Sequence, residues 1–373
     1  MKDLVDNVIE VDFDEIETYS FPLDELFGLE INHEDVKYCF IIRFSSTNKN
    51  LICMAPAAQL RDARTSQGKL ITPPYFNRWS WYSRFEESFI AYADPTYFYD
   101  GQIRIGWFVG TERTWYLEVV AEIFRRIARN QKIINSNMLF YGSSAGGFAS
   151  IALGTLIKGT KVLVNNAQFN IMNYNDDHIE NLFRVLRKEF PDLSDTQIEE
   201  KLKVRLKIIE LIKKEGYVPH ISYYLNSISD PDFNNQFLPF IDELKGIEQF
   251  DNEFVVHFYR NVKDKPHNPL PINESVKILK EYMSQYLYNE EESSDNKLVS
   301  TFAKRNSRLA EENERLASKS KALEEENCSI KRQIDSCKSK VASLEEENRS
   351  YRMQIDSMNP ARKVKNFIKS MKK

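Results

Sequence analysis

The residues best placed to do chemistry lie in Gly142-Ser143-Ser144-Ala145-Gly146-Gly147, between the apolar run Asn137-Met138-Leu139-Phe140-Tyr141 and a small-residue run that opens Phe148-Ala149-Ser150-Ile151. The flanking periods read as strand, sharp turn, helix. In such a turn the middle residue of G-x-S-x-G is held in a strained backbone conformation, and glycines are needed where a Cβ would strike the crossing chain. Ser144 is therefore a candidate nucleophile. A phosphate cradle is the competing reading. It is disfavoured because no Lys-Ser/Thr pair follows the glycines and no acidic residue at the right distance completes a dinucleotide fingerprint.

A serine hydroxyl attacks a carbonyl only when a base takes its proton and an acid orients that base. The chain has five histidines. His267 follows the alternating run Glu253-Phe254-Val255-Val256-His257-Phe258-Tyr259 and a polar loop, and precedes a helix from Glu274 to Leu287. His257 lies inside the strand and reads as a core residue; His33, His178 and His220 fall at other places. The acid is expected after the preceding strand, His220-Ile221-Ser222-Tyr223-Tyr224-Leu225, which leads into Asn226-Ser227-Ile228-Ser229-Asp230-Pro231-Asp232. Asp230 is the choice, Asp232 its close rival, and either could be a turn residue, since Asp-Pro commonly opens turns. The order serine, acid, histidine is that of the α/β-hydrolase fold. An oxyanion hole needs two backbone donors: the amide of Ala145, and that of Ala57 or Ala58 in the loop after the strand Asn50-Leu51-Ile52-Cys53-Met54. Downstream, Thr72 to Tyr82 is dense in aromatics. Arg78, Trp79 and Trp81 there suit a sugar ring, with plain core packing as the other reading.

Phe140-Tyr141-Gly142-Ser143-Ser144-Ala145-Gly146-Gly147-Phe148, the strand Val162 to Gln168 with its Asn165-Asn166-Ala167-Gln168, the segment Tyr223 to Asp230 and the late His267-Asn268-Pro269 carry a more specific likeness. Over residues 36 to 288 the chain resembles α/β-hydrolase-like proteins of surface-glycan biosynthesis. These include capsular polysaccharide proteins and the second protein of the accessory Sec glycoprotein-export system, which are similar to acyl esterases and O-acetyltransferases. The resemblance implies acyl transfer to or from a glycan or glycolipid hydroxyl, without metal or cofactor unless an acyl donor such as acetyl-CoA serves. Ala57-Ala58 stands where many lipases of the fold carry His-Gly-Gly-Gly. Two other readings stay open: a non-catalytic scaffold of a glycan-assembly or export complex, and a lipase or peptidase with the same triad.

Fifty-one basic and 55 acidic side chains among 373 residues give a net charge near −4, which implies no general affinity for nucleic acid. The amino end has neither a basic n-region nor an apolar h-region, and no apolar run approaches the roughly 18 residues of a membrane span. A cytosolic enzyme is expected. Cys39, Cys53, Cys328 and Cys337 lack the spacing of a zinc site or redox pair, and Cys39 and Cys53 read as buried small hydrophobes.

The organisation expected is an N-terminal extension over 1–35, an α/β-hydrolase-like domain over 36–288 with a mostly parallel sheet, a linker over 289–301, a coiled coil over 302–358 and a basic amphipathic tail over 359–373. Within the domain, 176–216 is an insertion with helical periodicity in Ile179-Leu182-Phe183-Leu186 and in Ile198-Leu202-Leu206-Ile209-Ile212, and a Ser194/Gln197 capping box. It reads as a lid or as a hairpin that only covers apolar surface. In the coil, Phe302, Leu309, Leu316, Leu323, Ile330, Cys337, Leu344, Tyr351 and Met358 take position d and Asn306, Asn313, Ser320, Asn327, Ile334, Val341, Asn348 and Ile355 take position a. Asparagine at a favours a parallel dimer. Four of the resulting g-to-e′ pairs, Lys319 with Glu324, Glu326 with Lys331, Lys340 with Glu345 and Glu347 with Arg352, are opposite in sign. A homodimer is expected, a hetero-coil being the rival. Beyond Asn359-Pro360, the residues Val364, Phe367, Ile368 and Met371 share one helix face among basic side chains. That pattern suits peripheral contact at the inner face of a membrane, a solvated basic tail being the alternative.

Overall fold

Alternation along the central runs decides the architecture. Leu51 and Cys53 point into one apolar core while Ile52 and Met54 point into another, and Met138 and Phe140 divide in the same way from Leu139 and Tyr141. A strand buried on both faces must be apolar at every position, which is why these runs are nearly continuous. The computed structural model describes residues 1–59, 64, 68, 70–100, 103–247, 252–287, 318, 321, 327, 329–355, 357 and 360–371.

The strands are β1 (Val8–Glu10), β2 (Leu26–His33), β3 (Val36–Arg43), β4 (Leu51–Met54), β5 (Ser88–Tyr92), β6 (Met138–Ser144), β7 (Lys161–Ala167), β8 (His220–Asn226) and β9 (Phe254–Tyr259). They form one nine-stranded sheet in the order β1-β2-β3-β5-β4-β6-β7-β8-β9. From β5 to β9 all neighbours are parallel, and β3 runs antiparallel to β2 and to β5. With helices on both faces and the Ser144 turn leaving the sheet after β6, this is an α/β-hydrolase-type fold.

Helices α1 (Tyr116–Gln131) and α2 (Ala145–Leu156) bury their apolar residues in the larger core, and α7 (Ile272–Tyr286) covers the opposite face with Leu279, Tyr282 and Met283. The segment 1–35 supplies β1 and β2, so residue 35 falls in the turn of the β2-β3 hairpin. The insertion comprises three helices, α3 (Asp176–Glu189), α4 (Asp195–Leu206) and α5 (Ile208–Glu215), and α4 begins with the Ser194/Gln197 capping box. Helix α5 packs on α2, so it is the crossover that returns the chain from β7 to β8. After β8 a π-helical turn (Pro231–Phe237) runs into α6 (Leu238–Leu244).

Residues 1–289 and 290–373 form separate compact units. In the second, the expected linker and most of the coil's first half lie outside the described residues. Its described part is helical over 329–355 (α8) and over Pro360–Ser370 (α9). Among the described residues no helix is long and apolar enough to cross a membrane.

Candidate active site

Ser144 sits where β6 ends and α2 begins, at φ 55° and ψ −125°, a conformation that costs a non-glycine residue about 1–3 kcal/mol. The surrounding packing leaves the turn no alternative. A Cβ on Gly142 would lie 2.1 Å from the Gly146 carbonyl oxygen, and one on Gly146 would lie 2.4 Å from that of Pro56, so only glycine lets the helix start so close to its own strand and to the loop after β4.

His267 is carried by the loop after β9. Its Nε2 is 2.9 Å from Ser144 Oγ, and its Nδ1 is 2.8 Å from both carboxylate oxygens of Asp232. A carboxylate can only accept, so Nδ1 carries the proton and Nε2 presents a bare lone pair to the serine. The imidazole side chain is 36% exposed and the Asp232 side chain 2%. The acid is thus buried while the base is partly open to solvent. Asp232 also accepts from Ser229 Oγ at 2.5 Å.

The acid facing His267 is therefore Asp232 and not Asp230. At Asp230 the backbone is already helical, with φ −51° and ψ −44°, and its side chain is exposed; two residues further round the turn, Asp232 faces inward. Gln236, on the same turn, accepts from the amides of Phe169 and Asn170 at 2.9 and 3.0 Å and fastens the turn to the loop after β7.

The histidine loop is held by asparagines that carried no assigned role in the sequence. Pairing between β6 and β7 slips from Ser143–Asn165 to Ser144–Ala167, and Asn166 is the extra residue, at φ 43°. Its Nδ2 lies 3.2 Å from the His267 carbonyl oxygen and 3.1 Å from that of Asn268, while its Oδ1 accepts from the Asn226 amide at 2.9 Å. Asn226 Nδ2 donates to the Pro266 carbonyl at 3.0 Å, and Asn165 Oδ1 accepts from the Leu270 amide at 2.6 Å. The ends of β7 and β8 thus fix the loop that carries the base.

A further group reaches the serine. Gln168 Nε2 is 3.1 Å from Ser144 Oγ, and Gln168 Oε1 accepts from Trp107 Nε1 at 2.6 Å. The Tyr174 side chain stands beside the site, 5.9 Å from the His267 ring, and burial raises the pKa of its hydroxyl.

The amide of Ala145 is the first of α2, one of the N–H groups that a helix cannot pair within itself. Ala57 is not an open donor: its N–H is taken by Asn77 Oδ1 at 2.7 Å. Ala58, next along, is exposed. The aromatic segment is half-buried. Arg78 turns inward, donating to Ser143 Oγ at 2.6 Å and to the Ala55 carbonyl at 3.4 Å, with its guanidinium over the rings of Tyr141 and Trp81. Burial lowers its pKa. Trp79 and Trp81 pack against the second core, on the α7 side of the sheet. Arg78 thus braces Ser143, next to the nucleophile, and Trp81 packs near Tyr141. His257 bonds Ser222 Oγ at 3.0 Å and stacks on Tyr224, and Cys39 and Cys53 are buried. Among the described residues no cluster of His, Cys, Asp and Glu could hold a metal ion.

No protein-family model matches the chain, and no curated protein matches it. Among solved structures it is similar to the capsule O-acetyltransferase of Neisseria meningitidis serogroup A, at 13% identity and a TM-score of 0.49 over 68% of this chain and 95% of that one. It is similar to a glycosylation associate protein (Gap123) complex from Streptococcus agalactiae at 12% identity and a TM-score of 0.45, over 72% of this chain and 47% of that one. An esterase from Thermogutta terrifontis matches at 9% identity and a TM-score of 0.42, over 68% of this chain and 90% of that one. The assignment of fold rests on the strand order and the Ser144 turn.

Proposed function

We propose that this chain moves an acyl group, acetyl foremost, to or from a hydroxyl of a cell-surface glycan or its lipid-linked precursor by way of an ester on Ser144. The observation that carries the chemistry is the relay of Ser144 Oγ, His267 Nε2, His267 Nδ1 and Asp232 at 2.9 and 2.8 Å, with the serine in a strained turn. His267 takes the serine proton as Oγ bonds to the acyl carbon, and Asp232 holds the imidazole in the tautomer that can do so. The Ala145 amide receives the oxyanion, with Ala58 as second donor in place of the engaged Ala57. An acyl donor such as acetyl-CoA would make the reaction a transfer; water would make it a hydrolysis. The glycan as acceptor rests on the sequence resemblance. Mass spectrometry of the surface glycan from cells carrying wild type or Ser144→Ala tests it. A loss of O-acetyl groups in the variant marks a transferase and a gain marks an esterase. Identical glycans, with an active purified enzyme, refute the acceptor and leave the acyl chemistry standing.

The same reading includes a parallel homodimer through 302–358 and a membrane-facing tail. What supports the dimer is the heptad register together with the exposure of Ile330, Ile334, Val341, Leu344, Tyr351 and Ile355 along α8. In α9, the exposed Val364, Phe367 and Ile368 share the helix with Lys363, Lys365 and Lys369, a face suited to an anionic lipid surface.

A further inference from the structure

Gln168 is fully buried, and its side-chain amide is oriented by chemistry rather than by fitting. The Trp107 indole can only donate, so the atom 2.6 Å from it must be Oε1, and the atom 3.1 Å from Ser144 Oγ must be the donor Nε2. Hydrogen bonds therefore run in one sense through the site, from Trp107 to Gln168, from Gln168 to Ser144, from Ser144 to His267 and from His267 to Asp232. An indole that cannot accept closes one end, and a carboxylate that cannot donate closes the other. Trp107 is itself fixed. It and Phe108 are consecutive left-handed residues, φ 49° and 54°, and the Phe108 amide is tied to the buried Asp94 carboxylate at 2.9 Å.

We propose that Gln168 is a catalytic residue of the second half-reaction, stabilising Ser144 Oγ as the leaving group when the acyl-enzyme breaks down, with Trp107 as its positioning residue. The proposal rests on the acyl-transfer reading. In the first half-reaction His267 Nε2 takes the serine proton, an Oγ electron pair forms the bond to the acyl carbon, and the donor's leaving group departs with that proton. A hydrogen bond onto Oγ acts on the same bond as it forms, but there the resting hydroxyl already accepts it, and a hydroxyl is a better acceptor than the ester oxygen of the acyl-enzyme, so the net gain is smaller. In the second half, water or an acceptor hydroxyl gives its proton to Nε2 and its oxygen bonds to the acyl carbon. The carbon–Oγ bond then breaks, the electron pair returns to Oγ, and the His267 proton follows it. Charge develops on Oγ during that cleavage, 3.1 Å from an N–H already aimed at it, so no reorganisation is needed when it appears.

Stopped-flow kinetics with p-nitrophenyl acetate on the full chain separates the two halves. Gln168→Leu is expected to keep the p-nitrophenol burst rate within a few-fold while the steady-state rate falls roughly 10- to 100-fold, below the full oxyanion-donor range because Oγ carries only part of the charge. Intact-mass spectrometry is expected to show the acetyl-enzyme accumulating. Trp107→Phe, which leaves the Gln168 amide free to turn, should act in the same direction with a smaller loss, and it decides the matter should Gln168→Leu not fold. An unchanged steady state overturns the proposal, and so does an equal fall of burst and steady state in a folded variant, which would make Gln168 a support for Ser144 alone. A wild type with neither burst nor turnover defeats the acyl-transfer reading, and the proposal falls with it.

Discussion

Asp232 meets His267 because the chain turns helical at Asp230, which places side chains two residues apart on opposite sides of the turn. That phase was not legible in the sequence: Asp-Pro-Asp offers two carboxylates, and the choice depends on where the π-helical turn begins. Ser144 was legible because G-x-S-x-G imposes its own geometry, and His267 because histidines are scarce and only one follows the last strand. Gln168, Asn166 and Trp107 were not, since an amide or an indole acquires a role only through what stands beside it. Arg78, Trp79 and Trp81 are ambiguous for the converse reason, because aromatics beside an arginine suit a sugar and a packed cation–π contact, here Arg78 with Trp81, equally well. The expectation at this scale is that Asp232→Asn lowers kcat for an ester substrate on the order of 10³-fold or more, while Asp230→Asn stays within about threefold. Initial rates on the two variants decide it, and the reverse ranking would restore Asp230.

Helical period alone could not divide the insertion. Ile198-Leu202-Leu206-Ile209-Ile212 continues in phase, yet the chain breaks at Lys207, φ −134° and ψ 118°, where the bridge to Asn170 and the bond from the Ile208 amide to the Phe169 carbonyl at 2.8 Å pull it against the loop after β7. The part after the break belongs to the body of the fold, since α5 packs on α2. The loop after β5 makes a different prediction. Asp94 accepts from the Thr96 and Phe108 amides at 2.9 Å, yet burial outweighs these bonds and pushes its carboxyl up to about 6. An aspartate in the unfolded chain titrates near 4, so between about pH 4 and 6 the folded state binds the extra proton. This contribution to stability is present below the unfolded pKa and is lost as pH rises to about 6. Relative to Asp94→Asn, the wild type should lose stability as pH rises from about 4 to about 6, in urea titrations at several pH values. A difference that is flat or of opposite slope would show that Asp94 is ionised in the fold throughout.

For the molecule as a whole, the chain divides into compact units over 1–289 and 290–373, and aromatics thin and charge rises in the sequence of the second. Less legible was the amino end, whose acidic and aromatic composition hides the two strands it adds to the sheet. The heptad register predicts that the full chain is a parallel dimer, whereas residues 1–289 alone are a monomer. Light scattering on both forms checks this, and a monomeric full chain would contradict it. Removing 360–373 should leave the dimer intact and release it from sedimentation with anionic vesicles, each basic side chain at such a surface contributing about 1 kcal/mol. Unchanged sedimentation would count against the tail as the membrane contact.

On the proposed function, Ser144, driven by His267, forms the acyl-enzyme. The most direct measurement is labelling of the purified full chain with a fluorophosphonate, the modified residue being located by peptide mass spectrometry. One adduct is expected, on Ser144, with labelling abolished in Ser144→Ala and in the double variant, and slowed on the order of 10⁴-fold in His267→Ala, because nucleophile and base act as a unit. Labelling elsewhere, or none at all in a folded wild type, would contradict it and leave a hydrolase-like body without the hydrolase chemistry.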